Sequence, residues 1–93
     1  METLTEVRAA IDTLDRRLLE LLAKRQQLVE AAGRLKPQND AGAVAAPERV
    51  AQIIAARRQQ AEAVGLSPDV AQAVWQAITD AFIRFETEVN QQQ

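Results

Sequence analysis

The sequence predicts an all-α fold with three helices per chain, the first of them too long to be covered by its own domain. Apolar residues recur at steps of three and four from Leu4 through Val7, Ile11, Leu14, Leu18, Leu21, Leu28 and Ala32 to Leu35, the period of one helix face. Start and stop signals divide the remainder into two further helical segments. No strand-like alternation, internal repeat or low-complexity tract competes with this pattern.

Each element has its own warrant. The first helix opens at a capping box, Thr3 with Glu6, where a threonine hydroxyl can meet an orphan amide of the first turn. It ends at Pro37, whose ring biases Lys36 away from helical geometry. Pro37, Gln38, Asn39, Asp40, Ala41 and Gly42 read as a loop. Pro47 suits the first position of a second helix, which Val50, Ile53, Ile54 and Ala61 furnish with an apolar face and Gly65 stops. Ser67, Pro68 and Asp69 form an N-cap signature for the third helix, with apolar positions Val70, Val74, Ile78, Phe82, Phe85 and Val89. The tail Gln91, Gln92, Gln93 is expected to fray.

Length then sets the assembly. A helix from residue 4 to 35 spans about 48 Å at 1.5 Å per residue, whereas a compact domain of this size has a radius of gyration near ~12 Å. The apolar face beyond the overlap needs another surface, and the same helix of a second copy is the economical one, so a homodimer is expected. A kinked first helix folded back into a four-helix monomer is the alternative, but neither Gly nor Pro lies between Leu4 and Ala32 to make the kink.

Composition narrows the chemistry. Residues 1–93 suit one domain, and with aromatics at 3% its core must be built from small side chains. A net charge of -2 without a basic stripe argues against a nucleic-acid partner. No apolar run approaches the roughly 20 residues of a membrane span and the start lacks a secretory pattern, so no membrane partner and a cytoplasmic location are expected. The chain has no Cys and no His, which removes disulfides, thiolate nucleophiles, imidazole acid–base chemistry and the usual zinc ligands. No metal or cofactor is expected, and chemistry falls to Arg, Lys and carboxyl groups.

One residue breaks the apolar face of the first helix: Arg25 stands where a leucine belongs. A guanidinium facing a helical core costs several kcal/mol unless an anion meets it, so the position asks for a buried acid or an anionic ligand. Arg25 and Lys36, 11 residues apart, fall within roughly 20° of each other around the helix and share a face, while Arg8 is turned about 100° away and addresses a different pocket, that of a partner chain. Arg49 opens the second helix and Glu86 lies one turn beyond Phe82, so both can converge on the same cavity. Taken singly, Arg8, Lys36 and Arg49 read first as solvated charges and only second as ligands, Glu86 reads most simply as a salt-bridge partner, and for Arg25 an internal pair with Glu86 stands level with a ligand. Arg57, on the apolar stripe of the second helix, reads as a snorkelling or ion-paired residue outside the site.

The run Val7-Arg8-Ala9-Ala10-Ile11-Asp12-Thr13-Leu14-Asp15, followed by Leu18-Leu19-Glu20-Leu21-Leu22-Ala23-Lys24-Arg25, resembles the first helix of the small all-α chorismate mutases and the related isochorismate-pyruvate lyases. Lys36 falls where that family has its lysine, and Ala46-Pro47-Glu48-Arg49-Val50 resembles the start of its second helix as written in the lyase branch. The resemblance covers nearly the whole chain. It implies a chorismate mutase-like domain in an intertwined helical homodimer with two shared sites, each taking Arg8 from one chain and the other groups from its partner. The implied substrate is a cyclohexadiene with two carboxylates, chorismate or isochorismate, which Arg8, Arg25 and Arg49 clamp, with Phe82 among the binding residues. Lys36 and Glu86 are implied as donors to the ether oxygen, where negative charge grows as its bond to the ring breaks.

The resemblance makes a chorismate mutase the leading expectation, with isochorismate-pyruvate lyase next and a mutase of 4-amino-4-deoxychorismate after it. A non-catalytic helical dimerisation module is the alternative from another class. Mutases of the best-known bacterial type carry acids that contact the ring hydroxyl where this chain has Ala46 and Val50, which leans toward the lyase branch. The glutamate at 86 leans the other way, since the lyases have glutamine there.

Overall fold

The computed structural model describes residues 3–92. It is all-helical: α1 Leu4–Leu35, α2 Ala41–Ala45, α3 Pro47–Val64 and α4 Pro68–Gln91. The three expected helices are present with the expected starts. Thr3 Oγ1 accepts from the Glu6 amide at 3.1 Å, Pro47 and Pro68 occupy the first turns of α3 and α4, and Ser67 Oγ accepts from the Val70 amide at 3.4 Å. Gly65 closes α3 with φ 78, a left-handed geometry that side chains disfavour. The tail departs from expectation: α4 continues through Gln91 and is capped at Gln92, while Gln93 lies outside the described residues.

The expected loop after α1 contains a helical turn of its own. Asn39, at φ 59, turns the chain, and Asp40 caps α2 by accepting from the Ala43 amide at 2.9 Å. This turn buries Val44 and packs against α4. Five residues are too few for a periodic apolar pattern, which is why sequence reasoning saw only a loop.

α4 is the common wall, since α1, α2 and α3 each pack against it. Close approach of α1 to α4 occurs at Gly33: a Cβ there would lie 3.1 Å from Glu86 Cγ and 3.4 Å from the Glu86 carbonyl oxygen. One turn further, the buried Asn90 ties three backbone segments together. Its Nδ2 donates to the Gly33 carbonyl at 2.9 Å and to the Pro37 carbonyl at 3.0 Å, and its Oδ1 accepts from the Asp40 amide at 3.0 Å. This residue fastens the end of α1 and the start of α2 to α4.

α1 is a single unbroken helix, without the kink that the folded-back alternative requires. The chain extends over 53 × 25 × 15 Å with a radius of gyration of 16.1 Å, well above the ~12 Å of a compact chain this long. The overhanging half of α1 leaves its apolar face in the open: Ile11, Leu14, Leu18 and Leu21 are each 50% exposed or more. Among the described residues no helix is long and apolar enough to cross a membrane.

Asn90→Ala removes all three tethers and leaves polar backbone groups poorly met in a buried place. It is expected to cost about 2 to 3 kcal/mol in urea denaturation, whereas Thr87→Ala, whose hydroxyl only bonds back to the Ile83 carbonyl of its own helix, should cost less.

Candidate active site

Where the C-terminal half of α1 faces α3 and α4, the helices line an open cavity of about 420 Å³. α4 supplies one wall through Thr79, Phe82, Ile83 and Glu86, spaced to share one helix face. From α1 come Arg25, Leu28, Val29, Ala32 and Lys36, and from the start of α3 Arg49, Val50, Ile53 and Arg57. The turn between α2 and α3 closes one side with Ala45 and Ala46. Ala46 adopts φ 38, ψ 62, a left-handed conformation that costs an alanine roughly 1 to 2 kcal/mol and brings the chain abruptly into α3 beside Arg49.

The sequence-derived candidates divide by place. Arg25, Lys36, Arg49, Phe82 and Glu86 all line this cavity. Arg8 does not: it is exposed, 17 residues before Arg25 on the same straight helix, hence on the order of 25 Å away along the axis. Arg57, set outside the site by sequence reasoning, lines the cavity, with its guanidinium 5.6 Å from the centre of the Trp75 ring. Thr79 was also missed; it is buried, and its hydroxyl donates to the Gln76 carbonyl at 3.0 Å. A threonine inside an otherwise apolar helical run gives no sign in the sequence of facing a cavity.

The acid and the cations pair differently from the simplest expectation. Glu86 does not meet Arg25; its Oε2 accepts from Lys36 Nζ at 2.7 Å, with Glu86 only 7% exposed. Lys36 has the extended geometry that Pro37 favours, φ -82 and ψ 154, which ends α1, and its side chain lines the cavity beside Glu86. Arg25 instead lies over Phe82, guanidinium carbon 4.6 Å from the ring centre, a contact worth about 0.5 to 2 kcal/mol. Its Nη1 is buried without a hydrogen-bond partner among the described residues. Burial, then the charges of Arg57 and Arg49, push the Arg25 guanidinium below its usual range. Arg25 thus holds a buried donor with two like charges nearby and no acid in contact with it.

If Arg25 is held for a ligand and not for the fold, Arg25→Met, which keeps the stem and its contact with Phe82, should leave the unliganded protein as stable as before or raise stability by up to about 1 kcal/mol in thermal melting. A structural ion pair would give the opposite sign.

The comparisons with known proteins agree with this architecture. The sequence profile described as chorismate mutase type II matches residues 7–87. The T-protein of Haemophilus influenzae is 43% identical over 74 residues, 80% of this chain and 19% of that protein. The T-protein of Enterobacter agglomerans is 44% identical over 71 residues, 76% of this chain and 19% of its own length, so the chain spans about one fifth of the length of these two relatives. The isochorismate pyruvate lyase of Pseudomonas aeruginosa is 34% identical over 80 residues, 86% of this chain and 77% of the lyase. By the profile match along nearly its whole length and by this last relative, the chain belongs to the chorismate mutase type II family.

Proposed function

We propose that the protein is a chorismate mutase, an isomerase that rearranges chorismate to prephenate in a site shared between two copies of the chain. The observation that carries this reading is the unpartnered Arg25 Nη1 in a cavity that also holds Arg49, Lys36 and Glu86. At about 420 Å³ the space is of the size that small-molecule sites have. The reaction breaks the ether bond to the ring and forms a carbon–carbon bond in one step, with no nucleophile and no covalent intermediate. The protein's tasks are therefore to hold the dianion folded and to stabilise charge at the ether oxygen.

Arg25 and Arg49 take a carboxylate by charge-assisted hydrogen bonds, which are strong where water is excluded. Phe82 supports Arg25 and presents an apolar surface to the ring. Lys36 stands at the other end of this row and is the donor to the ether oxygen. It is aimed by Glu86, whose carboxylate accepts from it before substrate arrives. When protonated, Glu86 becomes a second donor. Such donors favour the transition state over the ground state because the oxygen's charge grows along the reaction.

Arg8 enters through assembly. The exposed apolar face of α1 is continuous from Leu4 to Leu21, and its burial against a second copy would place Arg8 of one chain toward the cavity of the other in an intertwined homodimer. Sedimentation at micromolar concentration should therefore give a dimer; a compact monomer would remove the proposed role of Arg8.

Isochorismate-pyruvate lyase is the second reading. Ala46 and Val50 put apolar surface where an acid for the ring hydroxyl would stand, and the Pseudomonas relative carries that activity in its name. Incubation with chorismate and with isochorismate separately decides between them: prephenate from the first is expected, while salicylate and pyruvate from the second would transfer the assignment to the lyase. On the productive substrate, Arg25→Ala should lower kcat/KM about a hundredfold or more, the loss of two hydrogen bonds to a charged group.

Glu86→Gln tests the second donor: an amide of similar shape donates permanently, so this variant should keep the reaction, while Glu86→Ala, which has no donor, should lower kcat. Equal loss in the two variants would leave the ether oxygen to Lys36 alone.

A further inference from the structure

Resting on the reading above, we propose that Arg57 is a further substrate-binding residue, whose guanidinium, carried on the face of Trp75, takes a carboxylate of the same ligand that Arg25 holds. The geometry of α4 makes the case. Trp75, Phe82 and Glu86 lie on one face of this helix, and each holds a different cation: Arg57 at 5.6 Å from the Trp75 ring, Arg25 at 4.6 Å from the Phe82 ring, and Lys36 at 2.7 Å from Glu86. Trp75 and Phe82 are seven residues apart, two helical turns, so the two arginines sit on successive aromatic platforms. Both line the cavity.

Charge balance points the same way. The cavity lining holds four cations, Arg25, Lys36, Arg49 and Arg57, against the single acid Glu86, which is engaged with Lys36. Among the described residues no carboxylate lies within ion-pair distance of Arg57, which donates to Gln60 Oε1 at 3.2 Å. The adjacent Arg58 shows what a structural arginine does in this fold. It donates to Asp69 at 3.0 Å, to Gln72 at 2.7 Å and to the Pro68 carbonyl at 3.4 Å, tying α3 to the start of α4. Arg57 points elsewhere, and its charge bears on Arg25 more heavily than that of Arg49. Two guanidiniums lining one cavity with no acid paired to either favour a ligand with negative charge there, and an aromatic ring under each limits the freedom lost when it binds.

The test compares Arg57→Gln and Arg58→Gln by turnover of chorismate and isochorismate, by melting temperature and by titration with 4-carboxyphenoxyacetate, an unreactive ring-ether dicarboxylate. Trp75 is the one tryptophan of the chain, so its fluorescence reports the titration. Expected for Arg57→Gln are a rise in KM and a weakening of probe affinity of about tenfold or more, the loss of a charge-assisted contact, with a smaller change in kcat. Arg58→Gln should instead lower the melting temperature and leave KM and probe affinity within about twofold, as for a partly exposed pair. Arg57→Lys keeps the charge without the planar fork and should fall between wild type and Arg57→Gln; it decides on the same readouts if Arg57→Gln does not fold. KM and probe affinity unchanged in the Arg57 variants would overturn the proposal, whatever happens to stability. If wild type turns over neither substrate, the mutase and lyase readings fall and the probe titration alone decides Arg57. A wild type that neither turns over nor binds the probe overturns both.

Discussion

Everything in this structure depends on α1 being one unbroken helix. Its continuity from Leu4 to Leu35 fixes the angular relation between residues far apart in sequence: Arg25 and Lys36 share the face that closes the cavity, and Arg8 is carried out of its reach. The same continuity makes the chain too long for itself. The half of α1 that bears Arg8 leaves Leu14, Leu18 and Leu21 more than half exposed, an apolar surface of the kind that protein interfaces cover. The feature that leaves the fold incomplete and the feature that removes one arginine from the site are thus a single property of the helix.

The cavity end of α1 is held by polar devices that cost little in sequence length. Gly33 lets α1 approach the Glu86 backbone closely, and Asn90 binds the turn that follows. Pro37 ends α1 at Lys36, whose ammonium meets Glu86. Ala46, in a left-handed conformation, begins α3 beside the cavity, where Arg49 stands. With these constraints the cations are set in place before any ligand arrives, which limits the reorganisation that binding must otherwise impose.

Much of this was legible in the sequence, for identifiable reasons. Arg25 stood out because a charge in a regular apolar period violates a simple rule. The three long helices were legible through their caps and through Pro47, Gly65 and Pro68. What escaped needed the third dimension. Arg57 was read as snorkelling or ion-paired because an arginine on an apolar stripe ordinarily is, and its place on the Trp75 ring beside the cavity depends on the approach of another helix. Nothing in the sequence singled out Asn90, which stands just before the run of glutamines. The choice of Glu86 between Arg25 and Lys36 could not be read from spacing, since both cations were expected on the same face of α1; the close approach of α1 to Glu86 at Gly33, one turn before Lys36, goes with the pairing seen.

The shared site is tested most directly by mixing two crippled variants. Arg8→Ala and Arg25→Ala, each inactive alone, are combined under conditions that exchange subunits. A heterodimer of the two has one site with both substitutions and one with neither, so random exchange should restore about one quarter of wild-type activity, as two-fold symmetry requires. Activity that stays at the sum of the separate variants after demonstrated exchange would contradict a site built from Arg8 of one chain and Arg25 of the other.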